Sequence, residues 1–137
     1  MPDRPVFLDS NIIIYAYSGT DPKKADIARR VIAAGNIVIS AQVINEFVAV
    51  THRKFRQPLD VIDVAVREFL PFTHTAPLTV ETSLYALRIA KEYRFAWYDS
   101  LIIASALENG CALLISEDLQ HDQVIEESLT IINPFRE

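Results

Sequence analysis

The sequence predicts an α/β domain in which a mainly parallel sheet is covered on both faces by helices, a three-layer α/β/α sandwich. Three observations carry this. Short apolar runs recur along the chain, they alternate with stretches of helical periodicity, and several end in polar turn signals. The length of 137 residues is expected to form a single domain over 1–137. Half the residues are hydrophobic and 23% are charged, with only 3 Gly and 7 Pro. That composition excludes a disordered, collagen-like or low-complexity chain.

The first apolar run, Val6-Phe7-Leu8, stops abruptly at Asp9-Ser10-Asn11. Ile12-Ile13-Ile14-Tyr15 reads either way: its β-branched residues suit a strand, its position suits a helix start. Asp21-Pro22 opens a helix, because Asp21 can cap free N–H groups and Pro22 lacks a donor where none is needed. Ala25, Ala28, Val31 and Ile32 share one face of it, and Gly35 is placed as a left-handed stop.

Ile37-Val38-Ile39 is the second strand, and Ser40 caps a helix whose apolar arc contains Val43, Ile44, Phe47, Val48 and Val50, with Glu46 just outside it. Pro58 and Pro71 bracket another helix. A short strand is expected within His74–Leu78, followed by a helix capped by Thr79 that carries Leu84, Leu87 and Ile89. From Trp97 to Asn109 the chain is apolar on nearly every side, which predicts a buried helix ended by Gly110. Ala112–Ile115 and Leu129–Ile132 are the last two strands, the former ending in Ser116-Glu117-Asp118.

No apolar run approaches the roughly 20 residues a membrane span needs, and the N-terminus has no signal-peptide pattern. Cys111, the single cysteine, cannot form an internal disulfide, and a small core residue is expected there. These features lead to the expectation of a cytoplasmic domain with no membrane partner. A net charge of −5 argues against a protein held on nucleic acid by a general positive field. The argument fails if several acids gather in one site, since bound divalent ions would offset them.

The acids are placed suggestively. Asp9 and Asp118 follow strands, and ligands in parallel α/β sheets bind outside the carboxyl ends of the strands. Glu46 lies in the second turn of the helix after the second strand, and Asp99 near the start of the buried helix, where the dipole favours negative charge. Taken singly, each reads as an ordinary turn, cap or surface residue. Taken together they would repel one another at one rim, and hard divalent cations such as Mg²⁺ or Mn²⁺ relieve that repulsion.

The segments Val6-Phe7-Leu8-Asp9-Ser10-Asn11-Ile12, Val43-Ile44-Asn45-Glu46-Phe47, Tyr98-Asp99-Ser100-Leu101-Ile102-Ile103-Ala104 and Leu114-Ile115-Ser116-Glu117-Asp118-Leu119 resemble the motifs of PIN-domain ribonucleases, in particular the VapC type of toxin in bacterial toxin–antitoxin pairs. Each motif is weak alone; four in this order over almost the whole chain are specific. The resemblance implies a five-stranded sheet in order 3-2-1-4-5. It implies that Asp9, Glu46, Asp99 and Asp118 form an acidic quartet binding one or two Mg²⁺ or Mn²⁺ ions, supported by Asn11 and Ser116. It further implies an endoribonuclease that cleaves RNA phosphodiester bonds, a cognate antitoxin occluding the acidic crevice, and a homodimer. One departure is visible: Ala96 stands three residues before Asp99, where this group often has Ser.

RNA needs positive contacts, for which Arg53, Lys54 and Arg56 are candidates, with Arg29 and Arg30 on another helix. Each also reads as an ordinary surface cation. Trp97 and Tyr98 could stack on a base but are expected in the core, and His52, His74 and His121 have no paired ligand spacing. Two rival readings remain. A phosphoaspartate phosphatase also uses an Asp after its first strand, but haloacid-dehalogenase-like enzymes carry a second Asp where this chain has Asn11. The other is a PIN-like domain that binds RNA or protein without cleaving.

Overall fold

A computed structural model describes residues 4–136; residues 1–3 and 137 of the single domain expected over 1–137, including the Met1–Asp3 start of the chain, lie outside the described residues. In chain order the elements are β1 (Val6–Leu8), α1 (Ser10–Tyr17), α2 (Pro22–Ala33), β2 (Ile37–Ser40), α3 (Ala41–Arg53), α4 (Leu59–Phe69), β3 (Thr73–Ala76), α5 (Val80–Tyr93), α6 (Trp97–Glu108), β4 (Leu113–Ile115), β5 (Val124–Ile125) and β6 (Leu129–Ile132). A 3-10 turn, Leu70–Phe72, joins α4 to β3.

The starts of these helices follow local chemistry. The Asp21 side chain accepts from the Lys24 amide, Ser40 from the Val43 amide, and Thr79 and Thr82 form a reciprocal capping box. At Gly35 φ is +84°, so the chain leaves α2 where an L side chain would be strained. The ambiguous Ile12–Tyr15 run is helical, because Asp9 caps α1 by accepting from the Ser10 amide at 2.7 Å and Ile12 and Ile13 are buried in the core.

α6 starts differently. Ala96 sits at its N-cap with no side-chain hydrogen bond. Ala96→Ser is therefore expected to raise metal-free stability by about 1 kcal/mol, read from the urea midpoint at unchanged m-value.

The sheet order is β3-β2-β1-β4-β6-β5, parallel except that β5 runs antiparallel to β6. Without β5 this is the expected five-stranded order. Helices α1–α4 pack on one another and α5 packs on α6; the right-handed rule for parallel crossovers assigns these two groups to opposite faces of the sheet. Phe7, Leu8, Ile39, Val43, Phe47, Ile102, Ile103, Leu114 and Ile131 fill the interior. Seven consecutive residues of α6, Ser100–Ala106, are buried, so the apolar-all-round helix lies inside as expected.

Several expectations need correction. The sheet has six strands, not five. β5 was missed because it is two residues long with Val124 exposed, which leaves no periodic signal. Its hairpin turns at Glu126 and Glu127, both with positive φ, where Gly or Asn would have announced the turn. Tertiary contacts hold Glu126 there: its carboxylate accepts from the Tyr93 hydroxyl at 2.8 Å and pairs with Arg88 at 2.7 Å.

β3 covers Thr73–Ala76 rather than His74–Leu78, since Pro77 has no N–H to extend the ladder. α5 buries Thr82, Ala86 and Ile89, while Leu84 and Leu87 face outward. Trp97 and Tyr98 are exposed, Tyr98 by 65%, because the buried stripe of α6 begins only at Ser100.

Candidate active site

The chain moves outward from β1 to β2 and β3, then returns to place β4 on the other side of β1. The carboxyl ends of β1 and β4 therefore flank the switch point, where an open α/β sheet has its natural crevice. Asp9 follows β1 directly, and Ser116-Glu117-Asp118 follows β4. The ladder sets their relative position, with Leu8 in register with Ile115 and the Asp9 amide donating to the Ile115 carbonyl at 3.0 Å.

Two side chains cross-brace the ends of these strands. Buried Ser116 donates through Oγ to Asp9 Oδ2 at 2.8 Å and accepts from the Asp118 amide at 3.3 Å. Asn11, in the first turn of α1, donates through Nδ2 to Asp118 Oδ2 at 3.0 Å. Each supporting residue thus holds the acid of the opposite strand end. Asn11 Oδ1 is buried with no protein partner.

Glu46 reaches the same rim from the second turn of α3, and Asp99 from the first turn of α6. Both press on Asp9 electrostatically, and Asp99 also feels Asp118. Burial dominates and, with Glu46 and Asp99 adding to it, pushes the Asp9 carboxyl up to about 6 against the opposing hydrogen bonds from Ser116 and Ser10. Burial, then Asp118, raises Asp99. Of the four acids that the sequence singled out, Asp9 thus feels Glu46 and Asp99, and Asp99 feels Asp118.

Gln42 was not singled out. It is buried one turn before Glu46, and its Nε2 donates to the Tyr98 carbonyl at 3.2 Å and to Glu46 Oε2 at 3.4 Å. This ties α3 to the start of α6, while Gln42 Oε1 has no protein partner. A polar residue at i−4 to Glu46 on an otherwise apolar face was the available signal.

The oxygen donors fit a hard divalent cation in kind, and the unpartnered amide oxygen of Asn11 adds to them. In arrangement the site is open: among the described residues no three His, Cys, Asp or Glu side chains stand close enough to enclose an ion. Asp118 is exposed and Glu46 and Asp99 are half-buried, so the rim is open to solvent.

The candidate cations stand elsewhere. Arg53 ends α3, with Lys54 and Arg56 just beyond; Arg53 lies roughly 10 Å along the helix axis from Glu46, and all three are exposed. Arg29 donates to the Ala16 carbonyl, and Arg30 pairs with Asp26. His121 accepts from the Asn133 amide at 3.0 Å and serves the loop before β5. Cys111 is buried, and its thiol is pushed up to about 11. Among the described residues no helix is long and apolar enough to cross a membrane.

A parallel sheet with this strand order and an acidic switch point defines a class, and comparison agrees: residues 6–127 match the family profile of the PIN domain, so the chain belongs to the PIN-domain family. Similar solved structures share the fold. One is a toxin–antitoxin complex from Klebsiella pneumoniae, 20% identical, covering 95% of this chain and 98% of that one at a TM-score of 0.72. VapBC2 from Rickettsia felis, bound to a promoter DNA fragment, is 15% identical over 93% and 98% at 0.68. VapC20 of Mycobacterium tuberculosis, described as a toxin cleaving the sarcin–ricin loop, is 14% identical over 80% and 86% at 0.66. No curated protein matches the sequence.

Proposed function

We propose that this PIN domain is a divalent-metal-dependent endoribonuclease that hydrolyses RNA phosphodiester bonds, and that it is the toxin of a toxin–antitoxin pair. The single observation carrying the nuclease reading is the buried Asp9. Burial above all pushes its carboxyl up to about 6, with the charges of Glu46 and Asp99 adding to the shift, and Asp99 in turn is raised by burial and by Asp118. Burial chiefly, and the neighbouring carboxylates in addition, disfavour the charged form of Asp9, and a bound hard cation such as Mg²⁺ or Mn²⁺ would offset that cost.

Asp9 and Asp99 are the proposed principal ligands, with Glu46 and Asp118 binding directly or through water. One or two ions bound there would make a water nucleophilic at neutral pH and stabilise charge on the leaving oxygen. The chain's own part is positioning. Ser116 fixes the Asp9 carboxylate, Asn11 fixes Asp118, and Gln42 holds α3 against α6. Arg53, Lys54 and Arg56 are proposed phosphate contacts for the flanking RNA, a contribution that weakens with added salt.

The toxin role draws on the similar toxin–antitoxin structures. It carries the expectation of an antitoxin that covers the acidic crevice, a homodimer and a cytoplasmic location. Two measurements test the proposal. Purified protein should cleave RNA with Mg²⁺ or Mn²⁺ and stop with EDTA, and Asp99→Asn should lose at least about a hundredfold in rate; wild-type rates for this variant would refute the assignment. Growth arrest on expression, relieved by the genomic neighbour, tests the toxin role; equal growth in both cultures despite soluble protein would refute it.

A further inference from the structure

A fifth carboxylate, Glu117, stands between Ser116 and Asp118 and is held away from the other acids. Its Oε1 accepts from the Tyr15 hydroxyl at 2.6 Å, and its Oε2 pairs with the Lys24 ammonium, which also donates to the Tyr15 oxygen at 3.3 Å. Tyr15 lies on α1, Lys24 on α2 and Glu117 beyond β4, so the cluster joins three elements. Phe135, beyond β6, closes it. Its ring meets Tyr15 edge-on at 5.1 Å, and the Lys24 ammonium lies 5.3 Å from its centre. The Lys24 and Glu117 side chains are only 32% and 23% exposed, so solvent screens this pair less than an ordinary surface ion pair.

Helix α1 holds the same segment twice. Asn11 and Tyr15 are one turn apart on one face, and they donate to Asp118 and Glu117 respectively. Segment 116–118 also carries Ser116, which orients Asp9. A shift of Glu117 would therefore disturb two of the proposed metal ligands together.

We propose that Lys24 and Tyr15 are positioning residues which, by gripping Glu117, hold segment 116–118 so that Asp118 and the Ser116-bound Asp9 are set for the cation. The inference rests on the metal-site reading above and adds residues to it. It opposes simple electrostatics, which supplies the test. If Lys24 acted only through its charge, removing it would make the site more negative and tighten cation binding. If it acts by position, removing it weakens binding.

The experiment is a Mn²⁺ titration of the purified full chain, with free ion followed by electron paramagnetic resonance, for wild type, Lys24→Met, Lys24→Arg, Tyr15→Phe and Lys24→Met/Glu117→Gln. Lys24→Met should bind Mn²⁺ on the order of tenfold more weakly, as loss of an outer support does. Lys24→Arg keeps the ion pair and should restore affinity to within about threefold of wild type. Tyr15→Phe should fall between wild type and Lys24→Met. The double variant should be no worse than Lys24→Met, because both changes break the same link. Lys24→Met binding Mn²⁺ as tightly as wild type, or more tightly, overturns the positioning role and leaves the metal site standing. A wild-type chain that does not bind Mn²⁺ overturns both.

Discussion

Asp9→Asn is expected to abolish RNA cleavage and, without metal, to make the protein more stable than wild type at pH 7. The sign follows from linkage. The Asp9 carboxyl is raised from 3.8 to about 6 in the folded state, so between those values the native protein holds a proton that the unfolded chain has released. Its contribution to stability is complete below pH 3.8 and is lost as pH rises through about 6. The shift corresponds to about 3 kcal/mol, all of it charged against the metal-free native state at neutral pH.

Asparagine carries no charge and escapes this loss. It gives up part of the gain because one of its two polar atoms becomes a donor facing groups that now donate to Asp9, namely Ser116 Oγ and the Ser10 amide. Urea unfolding at pH 4 and pH 7, in EDTA and in excess Mg²⁺, checks this. The wild type should lose stability across that range in EDTA, the variant should lose less, and Mg²⁺ should reverse their order at pH 7. A variant markedly less stable than wild type in EDTA at pH 7 would contradict the picture of a strained acidic site.

Phe47→Ala should have the largest effect on the fold itself, costing about 3–5 kcal/mol and lowering the melting temperature by roughly 10–15 °C. Phe47 is 1% exposed, meets Phe69 edge-on at 5.3 Å and Tyr17 at 5.9 Å, and anchors α3 one residue beyond Glu46. Truncation leaves a cavity between α3, α4 and α1 that their shared aromatic packing cannot close. Tyr98→Ala, a comparable loss of aromatic volume at an exposed position, should change stability by less than about 0.5 kcal/mol. Calorimetric scans of both variants in EDTA separate the two cases. Equal melting temperatures would mean that Phe47 does not carry the α3 face.

Most of the architecture was legible in the sequence because its signals are local. Strands buried on both faces are continuous apolar runs, and the helices after Asp21, Ser40 and Thr79 announce themselves by caps that the backbone uses. The four acids were legible for a related reason: in a parallel sheet, the residue just after a strand falls at the binding edge wherever that strand lies. Less was legible where a long-range partner decides the outcome. The antiparallel β5 depends on Tyr93 and Arg88 holding Glu126 in a turn its own residue type disfavours.

By itself, then, the sequence determined the order of every element but β5, the apolar faces of α2 and α3, and the strand ends at which Asp9 and Asp118 stand. Only the tertiary structure decided that Ser116 braces Asp9 while Asn11 braces Asp118, that Gln42 ties α3 to α6, and that Glu117 turns away to Lys24 and Tyr15. Caps and periodicity are enforced by the backbone within a few residues. A side chain's partner across the fold is set by which elements the sheet order brings together.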